Sequence, residues 1–208
     1  MNRDEAEVPA WLNVSRETLE RLFAYCALVE KWNPAINLIS KSGISQIWDR
    51  HVIDSAQLIR QIPAEGGLWC DLGSGGGFPG IVLAILAKEL QPETRMILVE
   101  ADRRKSVFLS EAARLLDIAV SVKTQRIEDL EPENVDVLTA RALAPLSILC
   151  GYGYRHLKPQ GVAIFPKGAA ATREIEDAQK MWRFECDAMQ SHTDPEALVL
   201  AVRGIHLA

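Results

Sequence analysis

Between Leu68 and Gly80 the chain reads Leu-Trp-Cys-Asp-Leu-Gly-Ser-Gly-Gly-Gly-Phe-Pro-Gly: an apolar run that breaks into a glycine cluster and then meets a proline. Few folds accept such a segment. Alternating glycines at Gly73, Gly75 and Gly77 permit positive φ and remove Cβ atoms that would hold a ligand away from the main chain. Pro79 suits the first turn of a helix, expected from Gly80 to about Leu90, whose N–H groups and positive dipole end would point back at that ligand. The segment therefore predicts a strand, a nucleotide-type binding turn and a helix, in that order.

From Leu68 onward strand and helix patterns alternate. Strands are expected over Leu68 to Leu72, Met96 to Val99, Val120 to Val122, Val135 to Thr139 and Gly161 to Phe165. Helices are expected over about Arg103 to Leu116, Pro145 to Leu157 and Ala170 to Met181. Such alternation implies a parallel sheet with helices on both faces. The last two strands, about Phe184 to Met189 and Leu198 to Val202, are separated by the turn-rich Ser191-His192-Thr193-Asp194-Pro195 and predict a closing antiparallel hairpin. The glycine loop has two readings. Gly73-x-Gly75-x-Gly77 matches class I S-adenosylmethionine (SAM) methyltransferases, and Gly75-x-Gly77-x-x-Gly80 satisfies the dinucleotide fingerprint. A terminal hairpin is how the methyltransferases end their sheet, whereas a dehydrogenase would add further βα units. The expected fold is thus α/β, class I SAM-dependent methyltransferase (Rossmann-like), with a mostly parallel seven-stranded sheet and an N-terminal helical extension.

That extension is expected over residues 1–63, with the methyltransferase domain over 64–208. Residues 1 to about 10 read as a frayed leader. Ser15 can cap a helix carrying Leu19, Leu22, Phe23, Cys26 and Val29, which Trp32-Asn33-Pro34 should end. A second helix is expected from about Ile44 to Ile62, before the break at Pro63-Ala64-Glu65-Gly66-Gly67. No run approaches the ~20 apolar residues that span a bilayer. The polar start lacks the apolar core of a signal peptide, which makes the cytoplasm the expected location. Cys26, Cys70, Cys150 and Cys186 are scattered, as are the histidines, so no metal site and no disulfide framework is expected. A net charge of -5 argues against indiscriminate binding to nucleic acid and leaves room for a local basic face.

Several residues fall where such a sheet places chemistry. Glu100 follows the second strand, where a carboxylate accepts hydrogen bonds from ribose hydroxyls, a group that SAM and NAD share. Gln125-Arg126-Ile127-Glu128-Asp129-Leu130 follows the third strand, where methyltransferases set a backbone amide and a polar side chain around adenine; an ordinary charged loop is the competing reading. Arg141 lies at the end of the fourth strand, the switch region, where a guanidinium can orient a cofactor carboxylate or an RNA phosphate, or make a surface ion pair. Lys167 occupies the same edge after the fifth strand and is a candidate for RNA phosphate. Arg103 and Arg104 open a helix, a place the macrodipole disfavours for cations, and so are candidates for an external anion or a solvated face. Tyr154-x-x-x-Lys158 imitates a short-chain dehydrogenase pair, but Leu157-Lys158-Pro159-Gln160-Gly161 reads as the turn before a methyltransferase fifth strand.

Together these motifs resemble the RsmG family, also called glucose-inhibited division protein B. The resemblance is carried by Trp32-Asn33 with Asn37-Leu38, by Arg50-His51 with Asp54-Ser55, by Asp71 through Gly80, and by Arg141-Ala142 and Lys167-Gly168. It implies transfer of a methyl group from SAM, with S-adenosylhomocysteine (SAH) as product, to N7 of guanosine 527 in the 530 loop of bacterial 16S ribosomal RNA. It also implies cofactor contacts at Gly73, Phe78, Ile127, Glu128 and Arg141, and the small ribosomal subunit or its assembly intermediate as partner. Ala56 and Glu100 depart from the family's more common leucine and aspartate. Guanine N7 carries its own in-plane lone pair, so no catalytic acid or base is required and placement alone should drive the reaction. A small NAD(P) oxidoreductase and a non-catalytic SAM-fold RNA or ribosome binder are the competing readings.

Overall fold

The computed structural model describes residues 6–63 and 66–208. Ala64 and Glu65, inside the expected break, and residues 1–5 of the expected leader lie outside the described residues. Seven strands, β1 (Leu68–Leu72), β2 (Arg95–Val99), β3 (Val120–Lys123), β4 (Val135–Thr139), β5 (Leu157–Lys167), β6 (Trp182–Gln190) and β7 (Leu198–Leu207), form one sheet in the order β3-β2-β1-β4-β5-β7-β6. β1 to β5 are parallel, and β7 runs antiparallel to both β5 and β6, which is the predicted hairpin ending. Between and before the strands stand α1 (Arg16–Ile36), α2 (Lys41–Ile44), α3 (Asp54–Ala56), α4 (Gly80–Leu90), α5 (Arg103–Leu115), α6 (Leu146–His156) and α7 (Ala171–Ala178).

Strand periodicity sorts the core into two layers. Trp69, Met96, Leu98, Val162, Ile164, Val199 and Ala201 face the layer that holds α1, α4 and α5, whereas Cys70, Leu72, Ile97, Val99, Ala163, Phe165 and Leu200 face α6 and α7. α4 is apolar around nearly its whole circumference, since the sheet covers one side and α1 and α3 cover the other. The N-terminal unit therefore shares one continuous core with the sheet. Leu22, Tyr25, Val29, Ile47, Val52 and Leu58 are each at most 1% exposed within it.

The structure corrects three expectations for this unit. Residues 6–10 are packed rather than frayed: Ala6 and Val8 lie on the core and the Glu7 carbonyl accepts from Trp48 Nε1 at 2.8 Å. α1 continues through Pro34, because a proline in the last turn removes a single N–H while Ile36 still gains burial. It stops at Asn37, which adopts φ 49°, and the Asn33 side chain closes the turn by accepting from Ile39 N–H at 2.9 Å. The single helix expected from Ile44 to Ile62 is instead α2, a π-helical turn Trp48–Ile53, α3, and a 3-10 turn Gln57–Gln61. Among the described residues no helix is long and apolar enough to cross a membrane, and no cluster of His, Cys, Asp and Glu is arranged for a metal ion.

Asp71 locks the layers together at the sheet's carboxyl edge. Its side chain is fully buried at the end of β1, accepts from Thr139 Oγ1 of β4 at 2.7 Å, and accepts from the first N–H of α4, Gly80, at 3.3 Å. Burial pushes its carboxyl up to about 6, against the opposing pull of these donors. The folded state thus holds this proton more tightly than the unfolded chain, and stability contributed here falls as pH rises from about 4 to 6.

Relative to the wild type, Asp71→Asn should therefore become more favourable by about 3 kcal/mol between pH 4 and 7 in urea melts, whatever its absolute stability. Parallel stability–pH curves for the two proteins would refute the assignment. Deleting residues 1–62 should return the outer side of α4 to water, each large side chain uncovered costing about 1.5–3 kcal/mol. The truncated chain should aggregate or melt without cooperativity, and a soluble truncation with a native-like transition would count against a shared core.

Candidate active site

The strand order reverses between β1 and β4, and the crevice there is where open α/β sheets bind ligands. Backbone bonds shape the glycine loop across it. Ser74 N–H donates to the Val99 carbonyl at 3.0 Å, Ser74 Oγ to the Asp71 carbonyl at 2.9 Å, and Gly77 N–H to the Ser74 carbonyl at 2.7 Å. Gly73, Gly75 and Gly77 take φ of 64°, 55° and 89°, as their spacing predicts. The expectation that all of them clear space for a ligand needs correction. A Cβ on Gly73 would sit 2.7 Å from Leu143, one on Gly76 3.0 Å from the Leu38 carbonyl, one on Gly80 2.8 Å from Asp71 Oδ2, and one on Gly77 would collide with Tyr25 and Ile81. At Gly75 the nearest atom would be the Gly73 carbonyl oxygen, 3.8 Å away. Most of the cluster lets the protein approach itself, and Gly75 faces open space. Nor does the Gly80 N–H point outward, since Asp71 holds it.

Glu100 joins this loop to the end of β2. Its Oε2 accepts from Gly75 N–H and its Oε1 from Asp102 N–H, both at 2.8 Å. A carboxylate has about four acceptor positions, so it retains capacity for hydroxyl donors while fixing the loop apex. Asp102 caps α5 by accepting from Arg104 N–H at 2.8 Å, which offsets the cations that follow it. Arg103 and Arg104 are both exposed, and Arg103 lines an open concavity of about 770 Å³ along α5 with Ser106, Val107, Ser110, Arg114 and Thr124. Ile127 is buried at the start of a 3-10 turn, Ile127–Asp129. Glu128 on that turn is exposed, pairs with Arg126 at 3.3 Å, and accepts from Tyr152 Oη at 3.3 Å.

Arg141 sits on the other side of the loop with its side chain only 17% exposed. Its guanidinium carbon lies 5.4 Å from the Phe78 ring centroid, and the His51 ring lies 5.1 Å from the same ring. Nη1 donates to Asp54 Oδ2 and to the Arg50 carbonyl at 3.2 Å each, and Nη2 to His51 Nδ1 at 2.9 Å. Burial first, then the Arg141 charge, lowers His51 to about 4, so its imidazole is neutral at ordinary pH. Lys167 is turned inward. Its side chain, 10% exposed, pairs with Glu174 at 2.8 Å and donates to the Ala144 carbonyl at 2.7 Å, so an RNA phosphate would have to displace internal partners.

The structure thus gathers Gly75, Phe78, Glu100 and Arg141 around one loop, with Gly73 and Gly77 beneath it and Arg103, Arg104, Ile127 and Glu128 toward the β3 edge. Sequence reasoning had not placed Asp71, His51, Asp54 or Tyr25 in the site. Tyr25 Oη donates to the Gly76 carbonyl and supports the loop from α1. The signal for His51 and Asp54 was their spacing on one helical turn, and for Asp71 its place as the acidic residue inside an apolar strand.

Comparison with known proteins identifies the family and the fold. The model of the GidB family, described as rRNA small subunit methyltransferase G, matches residues 18–197. The chain is 55% identical over 194 residues to the ribosomal RNA small subunit methyltransferase G of Ruegeria pomeroyi, covering 93% of this chain and 95% of that protein. It is 51% identical over 205 residues to the protein of the same name from Cereibacter sphaeroides, covering 99% of each. Among solved structures, the PH0226 protein of Pyrococcus horikoshii OT3 has a TM-score of 0.59 at 13% identity, over 86% of this chain and 99% of that one. A SAM-dependent methyltransferase from Aquifex aeolicus has a TM-score of 0.57 at 14% identity, over 80% and 98%. These two likenesses concern the fold. The sequence relationships overturn the oxidoreductase and non-catalytic readings, and the chain belongs to the GidB family as an rRNA small subunit methyltransferase G.

Proposed function

We propose that this enzyme transfers a methyl group from SAM to N7 of guanosine 527 in bacterial 16S ribosomal RNA, and that it does so by positioning. The observation that carries this reading is the state of the ionisable groups around the loop. Glu100 holds two backbone N–H groups, Asp71 is sealed beneath the loop by Thr139 and Gly80, Asp54 is paired with Arg141, and His51 faces the same guanidinium through Nδ1. Each is committed to holding another group. A nucleophile with its own lone pair, such as guanine N7, needs none of them as a base.

The residues fit the cofactor. A Cβ would fill the open space at Gly75, Glu100 keeps acceptor capacity for a ribose diol, and Arg141 keeps N–H donors for a carboxylate. Bound SAM supplies an electrophilic methyl on a sulfonium. Gly73, Gly75, Gly77, Phe78 and Glu100 would hold it on one side, Ile127 and Glu128 toward the β3 edge, and Arg141 on the other. Exposed Arg103 and Arg104 are offered to RNA phosphate.

Gly75→Val should abolish SAM binding in calorimetry, and because a β-branched residue is strained at φ 55° it should also lower the melting temperature while the transition stays cooperative. Gly77→Ala should lower the melting temperature through a collision as well as through strain, since its Cβ meets Tyr25 and Ile81. The reverse pattern would contradict the loop's division of roles. Tritiated methyl transfer to unmodified small subunits, with the product base mapped, should yield N7-methylguanosine at position 527, and a methyl at another atom or base would overturn the proposal. Under single turnover with SAM saturating, the rate should stay flat from pH 6.5 to 8.5. A limb there that vanishes on replacing His51 or Glu128 would establish a general base instead.

A further inference from the structure

Arg141 follows β4, yet the three groups that accept hydrogen bonds from its guanidinium all come from the N-terminal unit. The π-helical turn explains how one of them is available. In an α-helix the Arg50 carbonyl would accept from the N–H of Asp54, four residues on. Here the Asp54 N–H reaches the Asp49 and His51 carbonyls, and the Arg50 carbonyl accepts from Arg141 Nη1. Such π-turns are rare and are frequently found at functional sites. His51 adds a second constraint. A guanidinium only donates, so His51 Nδ1 must be the acceptor, which fixes the imidazole as the neutral tautomer protonated at Nε2. Asp54 is itself held: its Oδ1 accepts from Thr193 Oγ1 at 2.8 Å and from Gln57 Nε2 at 2.9 Å, and Gln57 Oε1 accepts from His192 N–H at 2.8 Å. The loop between β6 and β7 thereby braces the carboxylate that braces Arg141.

We propose that the Arg50 carbonyl, His51 and Asp54 are positioning residues, which together aim Arg141 at the carboxylate of the cofactor's amino-acid portion. This rests on the reading of Arg141 as a cofactor-binding group. Of the five guanidinium N–H donors the acceptors take three, leaving Nε–H and one Nη2–H. With its plane fixed over Phe78 and its position set from three sides, the side chain is pre-organised for a planar anion, and little conformational freedom remains to be lost on binding. An ion pair with Asp54 alone would neutralise Arg141 without fixing its plane; the carbonyl and the imidazole supply the orientation.

The charged groups facing His51 are Arg141 from the end of β4 and Asp54 and Arg50 from its own segment, and the two arginines oppose its protonation. Because the folded-state pKa lies below the usual 6.5, the stability held here is present above that value and is lost as pH falls toward about 4. A protonated His51 would turn an N–H donor on Arg141 and push the guanidinium from its seat.

The test compares two probes by calorimetry: SAH, which carries the carboxylate, and 5′-methylthioadenosine, which lacks the whole amino-acid portion. His51→Leu should weaken SAH by about ten-fold and leave methylthioadenosine unchanged, and His51→Asn, whose amide oxygen restores an acceptor, should recover most of the loss. Arg141→Ala should show the same selectivity with a larger loss. In the wild type the preference for SAH over methylthioadenosine should shrink below about pH 5, and in His51→Asn it should not. Equal losses for both probes in His51→Leu would mean a merely structural role and overturn the proposal. So would full SAH affinity in His51→Leu alongside a loss in Arg141→Ala. Unchanged SAH affinity in Arg141→Ala would instead remove Arg141 from the cofactor site and leave an RNA phosphate as its partner.

Discussion

A buried carboxylate at the end of β1 is the constraint on which the site is built. Asp71 ties β1 to β4 through Thr139 and to α4 through the Gly80 N–H, so the three elements that bound the crevice converge on one side chain. The glycines follow from it. A Cβ on Gly80 would stand 2.8 Å from Asp71 Oδ2, so α4 can begin this close to the strand only with glycine there. Gly73, Gly76 and Gly77 bring the loop equally close to Leu143, Leu38 and Tyr25. A turn seated this tightly has few ways to move. Its apex, Gly75, is then held from outside by Glu100, and the same carboxylate orders the start of α5 through Asp102. Burying a charge is costly, and the rise of Asp71 to about 6 records that cost in the folded state.

The strands and the helices between them were legible because two signals agree there: short apolar runs, buried on nearly every residue in β1, β2 and β4, and glycine or proline at the turns. The closing hairpin was legible from a turn-rich segment standing where a helix would otherwise be. What could not be read depends on contacts between distant segments. Pro34 looks like a helix end until Asn33 is seen to tie down Ile39, and the helix from Ile44 to Ile62 looks continuous until Arg50 is seen to give its carbonyl to Arg141. Lys167 lies at the active edge of the sheet, as expected, but Glu174 on α7 draws its ammonium inward. Arg141 was identifiable by its position, whereas its partners are about ninety residues away in sequence and appear there only as a spaced His-Asp pair.

The N-terminal unit reads differently once these contacts are known. As an extension it would be a cover, and its burial against α4 is what any cover would show. Its polar contacts are more selective: Tyr25 reaches the Gly76 carbonyl, and Arg50, His51 and Asp54 converge on Arg141, so both walls of the crevice are held from one unit. Phe78 lies against Tyr25, His51 and Arg141, within 5.4 Å of each.

That arrangement answers a difficulty raised by the chemistry. If the methyl acceptor brings its own lone pair, an enzyme gains little from proton transfer and must gain from orientation, which is worth up to about 7–11 kcal/mol when the reacting atoms are held in line. Orientation of that quality requires rigid parts. A loop of glycines would ordinarily be the least rigid part of a fold, because glycine loses the most freedom on folding. Here the direction in which a side chain would project is blocked by protein at all but one of the loop's glycines, and the remaining one is held by Glu100. The flexibility that lets the loop form is thereby removed once it has formed, and the cation opposite it, long-chained and mobile by nature, is immobilised by acceptors from another part of the chain.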